Sequence, residues 1–251
     1  MTVVLVHGLP ETAAVWDPLR SVLPVATHAV ALPGFGVPRP AGFSGTKDAY
    51  ADWLATELDE FPAPLDLVAH DLGALLVMRL ISSSAVTIRS WVVDVAELFH
   101  PSARWAQHIR DLQTAGLGEQ ILATRRTADP SDPQSTAARL AGAGVPFDLA
   151  RQIGAAHDET MSGSILDFYR SAVPNVGRDW WTRGIQGRGR GLVLLLPDPP
   201  EIEAMAVEVA VTLGAETQRL GDLPHCWMAN APDRVADLLT RFWSSESGPA
   251  I

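Results

Sequence analysis

Cysteine occurs once in this 251-residue chain, at Cys226. One thiol excludes an internal disulfide and a cysteine-rich metal site, and neither a metal nor a cofactor is expected. Lysine also occurs once, at Lys47, so nearly all positive charge is arginine, which reads as codon bias and not as function. Positive charge is scarce overall, with a formal net charge of −10 and an isoelectric point near 5.1. That balance excludes nucleic acid and anionic membrane as partners, because both need basic patches. No apolar run reaches the roughly 18 residues that a membrane span needs. The opening run Thr2 to Val6 stops at His7-Gly8 with no basic segment before it, so no secretory leader is read there and a cytoplasmic location is expected. Internal repeats and low-complexity tracts are missing too. Tyrosine is nearly so, with only Tyr50 and Tyr169.

What is present is an ordinary globular composition that leans apolar, 47% hydrophobic against 19% charged. The length suits one large α/β domain, or a core with an inserted subdomain. Short apolar strand patterns recur at Val3–Val6, His28–Leu32, Leu65–Ala69, Ser90–Val95, Leu192–Leu196 and Thr217–Leu220. Helical spacing fills the intervals, around 12–23, 50–58, 72–81, 201–213 and 232–243. This alternation predicts an α/β fold whose mostly parallel sheet is covered by helices on both faces. Between Phe99 and Gln186 the strand patterns vanish, and short helical stretches rich in Trp, Arg and Gln take over. We read residues 99–186 as an inserted helical cap on a core formed by 1–98 and 187–251. Gly184, Gly187, Gly189 and Gly191 then act as a flexible return, and the last eight residues read as a loose tail.

The stretch Leu67-Val68-Ala69-His70-Asp71-Leu72-Gly73-Ala74 carries the chemistry. An apolar strand ends at an acid flanked two residues either side by Ala69 and Gly73, and a helix follows. Small flanking residues allow a sharp strand-to-helix turn with one side chain held at its apex, as in a nucleophile elbow. A carboxylate at that apex cannot run a serine esterase cycle. It can displace a leaving group at carbon and form an alkyl-enzyme ester. Asp71 as a plain helix cap is the competing reading. His7-Gly8-Leu9-Pro10, directly after the first strand, supplies a backbone N–H at Leu9, and Leu72 supplies a second, for a developing oxyanion. His7 itself reads as a structural hydrogen-bonder. His225, on the loop before the final helix, can reach the elbow as general base. Asp198, after the all-apolar strand ending at Leu196, would orient it. Glu97, at the end of the fourth strand, is the rival acid, with Asp94 less well placed.

Together His7 to Thr12 with Trp16, Leu32-Pro33-Gly34-Phe35-Gly36, the elbow, Asp198 and His225 resemble the α/β-hydrolase superfamily, and specifically its aspartate-nucleophile branch of epoxide hydrolases and haloalkane dehalogenases. The resemblance covers nearly the whole chain. It implies an α/β-hydrolase fold that opens at what is normally the third strand, hence a sheet shortened at the N-terminus to about six strands. It also implies a covalent alkyl-enzyme ester hydrolysed by His-activated water. A dehalogenase of this kind holds halide with indole or amide N–H groups, usually from a Trp that directly follows the nucleophile; here Leu72 stands there. An epoxide hydrolase polarises the ring oxygen with cap tyrosines, and Leu166-Asp167-Phe168-Tyr169-Arg170 resembles the segment that carries one of them. The segment Leu112 to Glu119 resembles the one just after the second such tyrosine, yet no tyrosine is there. His108 or Trp105 stands near that position, and Trp180 and Trp181 offer further indole donors. The first expectation is an epoxide hydrolase acting on a small apolar epoxide. The second is a dehalogenase using Trp105, Trp180 or Trp181 for halide. The third is a non-catalytic hydrolase fold that binds a hydrophobic metabolite. A homodimer is left open.

Overall fold

A computed structural model describes residues 2–83, 86–182 and 184–245; of the expected loose tail, residues 246–251 lie outside the described residues. Six strands form one parallel sheet, β1 (Thr2–Val6), β2 (Thr27–Val30), β3 (Leu65–Ala69), β4 (Ile88–Val93), β5 (Arg190–Leu195) and β6 (Ala215–Arg219), in the order β2-β1-β3-β4-β5-β6. Parallel neighbours need crossovers, and helices supply them. These are α1 (Asp17–Val22), α2 (Lys47–Leu58), α3 (Leu72–Ser83), the long helical segment between β4 and β5, and α10 (Pro200–Leu213). The helical segment comprises α4 (Gln107–Gln113), α5 (Leu117–Thr127), α6 (Thr136–Gly142), α7 (Phe147–Ala155), α8 (Glu159–Ser171) and α9 (Gly177–Trp180). After β6 come the short α11 (Trp227–Asn230) and α12 (Pro232–Ser244). Among the described residues no helix is long and apolar enough to cross a membrane.

The central strands are apolar at every position or nearly so because they are buried on both faces. The two-residue period sorts their side chains between two cores. Val4, Val6, Leu67, Val93 and Leu195 pack on the face that α2, α3 and α10 cover. Val3, Leu5, Val68, Val92 and Leu194 pack on the other, against Trp16, Leu19, Trp227 and Leu239. The one buried acid inside β3, Asp66, faces Ser90 in the register of β4 and accepts from its hydroxyl at 2.6 Å and from Arg89 Nε at 2.8 Å. In α12 the buried set Val235, Ala236, Leu239 and Phe242 follows the helical period.

Four strands stop earlier than their apolar runs predict, β5 at Leu195 and β6 at Arg219 by one residue and β2 and β4 by two. β2 ends at Val30 and not Leu32, because the Leu32 N–H turns to donate to His7 Nε2 at 3.2 Å. β4 ends at Val93 and not Val95: the Asp94 side chain is drawn into a buried polar network, and Val95 takes φ +42°. The only other described non-glycine residue with positive φ is Asp71, at +49°. Both strained residues follow the ends of adjacent central strands, where such backbone is held in place only by its surroundings.

Candidate active site

Asp71 sits between β3 and α3, and its left-handed backbone needs close clearance on each side. A Cβ on Gly8 would lie 2.4 Å from Asp71 Cβ, and one on Gly73 would lie 2.4 Å from the Val6 carbonyl oxygen. Only glycine fits at either place. The Leu9 N–H donates to Asp71 Oδ2 at 2.8 Å, while Oδ1 has no hydrogen-bond partner among the described residues. Leu72 opens α3, where a helix leaves its first backbone N–H groups without an intrahelical acceptor. His7 holds the loop: its Nδ1–H donates to the Gly8 carbonyl at 2.9 Å, so its Nε2 is the acceptor for Leu32. Burial lowers the His7 pKa, which keeps that ring neutral.

Behind the elbow lies a wholly buried ionic network that the sequence does not reveal. Asp94 Oδ1 accepts the Asp71 N–H at 2.9 Å, and its Oδ2 accepts from His70 Nδ1 at 2.5 Å and Trp227 Nε1 at 2.7 Å. His70 Nε2 stands 3.1 Å from Glu11 Oε1, and Glu11 Oε2 accepts the Gly8 N–H at 3.0 Å. Burial alone would strip His70 of its proton, but the two carboxylates outweigh it and raise its pKa well above the ordinary value. Burial likewise works against the Glu11 charge, yet the His70 cation brings that pKa down to about 2. One imidazolium thus binds the loop after β1 to the end of β4 directly beneath the nucleophile. The clue in the sequence was three polar residues, Glu11, His70 and Asp94, at the ends of otherwise apolar stretches.

Replacing His70 with leucine leaves two buried carboxylates facing each other, an arrangement costing about 3–5 kcal/mol. The expected outcome in thermal unfolding near pH 7 is a midpoint lowered by on the order of 10 °C. For Glu11 the folded pKa lies below the unfolded one. Its contribution is therefore complete above about pH 4.5 and is lost as the pH falls toward about 2. Acid titration of the wild type should show that loss, and a stability flat down to pH 2 would contradict it.

A cavity of about 360 Å³ opens above Asp71. Leu9, Glu97, Asp198, His225, His108 and Tyr169 all line it, brought together from six separate stretches of chain. The His225 ring stacks obliquely on His70, with centroids 4.5 Å apart. Burial raises the Asp198 pKa, His225 pulls it back, and Asp94 and Glu203 push it up again. Among the described residues neither Asp198 nor Glu97 hydrogen-bonds to His225. Burial, and then the neighbouring Asp198, Asp94 and Asp71, push the Glu97 pKa up to about 8, so Glu97 is protonated at neutral pH.

Tyr169 on α8 is buried, edge-on to Trp105 at 5.5 Å, and its hydroxyl has no hydrogen-bond partner among the described residues. Burial, and then the charge of Asp71, raise its pKa well above the ordinary value, so the phenol keeps its proton. Burial lowers the His108 pKa, and Arg139 and Arg125 lower it further; a neutral ring still carries one N–H donor.

The tryptophans are placed otherwise than expected. Trp105 lines the cavity, but its indole N–H donates to the Ala172 carbonyl at 2.7 Å. Trp180 lies outside the cavity lining: its N–H donates to Asp48 Oδ1 at 2.8 Å, and the Lys47 ammonium sits 5.2 Å from its ring. Trp181 also lies outside it and packs on His100 and Phe99. The Trp105 and Trp180 indole N–H groups are thus committed within the protein, and Trp180 and Trp181 lie outside the cavity lining. The apolar wall is built instead by Ile109, Leu112, Leu140 and Ile165. Among the cavity residues that had no place in the sequence reading are two cations, Arg125 and Arg139.

Comparison with known proteins bears on the fold. The alpha/beta hydrolase family matches residues 3–238. A search of curated proteins gives no match. Among solved structures, one described as a "putative epoxide hydrolase" from Pseudomonas aeruginosa is similar over 97% of this chain and 88% of its own, with TM-score 0.77 and 20% identity. A loop variant of a haloalkane dehalogenase from Bradyrhizobium elkanii is similar over 98% of this chain and 91% of its own, with TM-score 0.67 and 20% identity. The juvenile hormone epoxide hydrolase of the silkworm Bombyx mori follows at TM-score 0.64 and 14% identity, over 96% of this chain and 68% of its own. At these identities the likeness is one of fold.

Proposed function

Because the chain belongs to the alpha/beta hydrolase family, we propose that it is an epoxide hydrolase working through a covalent ester on Asp71, with helices 99–186 acting as a cap over the site. The observation that carries this reading is the asymmetry of the Asp71 carboxylate, one oxygen held by the Leu9 N–H and the other without a partner, in a cavity shared with Tyr169, His108 and His225. Oδ1 attacks a ring carbon and the carbon–oxygen bond breaks. The ring oxygen takes the Tyr169 proton while the His108 N–H supports it. His225 then removes a proton from water, and the hydroxide adds to the ester carbonyl. Its oxygen is Oδ2, already set at the Leu9 N–H, with the Leu72 N–H as second donor. Collapse of this intermediate releases the vicinal diol and restores the carboxylate. The imidazolium proton returns to the Tyr169 oxygen, so the cycle balances.

The test is incubation with a panel of apolar epoxides and a panel of haloalkanes, measuring diol and free halide. Diol without halide is expected. Halide release would favour the dehalogenase, which the committed indole N–H groups argue against. Binding without turnover would favour a non-catalytic role. Tyr169→Phe should slow ester formation by about a hundredfold in single-turnover kinetics and spare ester hydrolysis. Equal slowing of both steps contradicts its role as proton donor.

We assign the acid behind His225 to Asp198. Asp198→Asn is therefore expected to lower kcat near pH 7 by a far larger factor than Glu97→Gln, which replaces a neutral carboxyl by a neutral amide. The reverse ranking would move the role to Glu97. A second readout concerns stability. With a folded pKa near 8 against about 4.5 unfolded, Glu97 lowers stability progressively as pH rises from 4.5 to 8. Glu97→Gln should flatten that decline in unfolding curves.

A further inference from the structure

Arg125 on α5 and Arg139 on α6 line the cavity that holds Asp71, and both also line an adjoining surface cavity of about 300 Å³. They therefore stand where the two spaces meet. Neighbouring arginines of the helical segment are paired, Arg126 with Glu159 at 3.3 Å and Arg170 with Glu119 at 2.8 Å. Among the described residues neither Arg125 nor Arg139 has an ion-pair or side-chain hydrogen-bond partner. In a chain of net charge −10, two uncompensated cations at the mouth of an apolar cavity are conspicuous. Their field reaches the surrounding rings. Burial and then Arg125 and Arg126 bring the His157 pKa down to about 4. Arg125 itself falls to about 10, through burial and then Arg139.

Extending the reading of Asp71 as the reacting group, we propose that the substrate is an epoxide bearing a carboxylate, which Arg125 and Arg139 bind at the mouth while the apolar chain lies along Ile109, Leu112, Leu140 and Ile165. A planar carboxylate matches the guanidinium fork, and its charge relieves the repulsion between the two cations. Asp71 lines the same cavity, and His108 and Tyr169 each feel both Asp71 and Arg125, so one substrate can span the carboxylate that reacts and the cations that hold it.

The experiment compares the terminal epoxide of octanoic acid with its methyl ester on wild type and on the double variant Arg125→Gln/Arg139→Gln. Charge-assisted hydrogen bonds should give the acid a kcat/KM about tenfold to a hundredfold above the ester. That ratio should shrink with added salt, fall toward one in the double variant, and survive in part when both positions carry lysine. A second arm needs no turnover: calorimetric binding of octanoate and of octanol, with octanoate tighter in wild type and the difference lost in the double variant. Equal treatment of acid and ester, equal binding of octanoate and octanol, or a preference untouched by the double variant would overturn the proposal. Octanoate binding that depends on both arginines, with no epoxide hydrolysed, would uphold the anion site and sink the reaction assigned to Asp71. Epoxide turnover without acid preference would do the opposite.

Discussion

Asp71→Ala is expected to lose epoxide turnover by on the order of 10⁴-fold or more, because the variant has no atom that can form the ester. The residual rate would come from water in a cavity that still binds substrate, so binding of the diol product should weaken far less than kcat. The physical basis is local. Oδ1 has no partner among the described residues, whereas Oδ2 is fixed by the Leu9 N–H, so the carboxylate reaches the substrate already oriented. Alanine is also a poorer residue than aspartate at φ +49°, so a modest loss of stability, about 1 kcal/mol, should accompany the change. Circular dichroism at 25 °C therefore belongs beside the kinetics, to show that the fold persists. Turnover within tenfold of wild type would mean that the carboxylate of Asp71 only caps α3 and that the reaction, if any, runs elsewhere.

How much of this was legible in the sequence depends on how far each signal reaches along the chain. β3 was found at its observed bounds, Leu65–Ala69, because a strand buried on both faces must be apolar throughout. The elbow was legible for a similar reason: Gly73 and Gly8 are demanded by contacts that nothing larger could make. β2 and β4 were read too long, since apolar residues continue past the point where the backbone leaves the sheet, and only the fold shows that Leu32 and Val95 have other partners. The tryptophans were misread for want of the same knowledge. An indole N–H has one donor to give, and whether it faces the Ala172 carbonyl, Asp48 or a substrate is settled by residues distant in sequence. The His70 network and the Arg125–Arg139 pair were hidden likewise: both consist of charges whose meaning is the presence or absence of a remote partner.

His225→Gln separates the two half-reactions. Glutamine is close in length to histidine but cannot take a proton from water at neutral pH, so attack by Asp71 proceeds while hydrolysis of the ester slows by about 10²–10⁴-fold. Mixing the variant with excess apolar epoxide should give one rapid equivalent of ring opening followed by near silence. Intact-mass measurement should show the protein heavier by one whole substrate molecule, because epoxide addition expels nothing. Digestion should place that mass on the peptide containing Asp71. The increment also distinguishes the chemistry: a haloalkane would add its own mass less that of the hydrogen halide expelled, so the loss of a leaving group can be read from the mass alone. The trapped ester should hydrolyse faster at alkaline pH, where hydroxide replaces the missing base, and Asp71→Ala in the same background should show no adduct at all. An adduct that forms equally without Asp71, or the lack of any adduct with every epoxide and alkyl halide tried, would remove the covalent mechanism and leave only the fold.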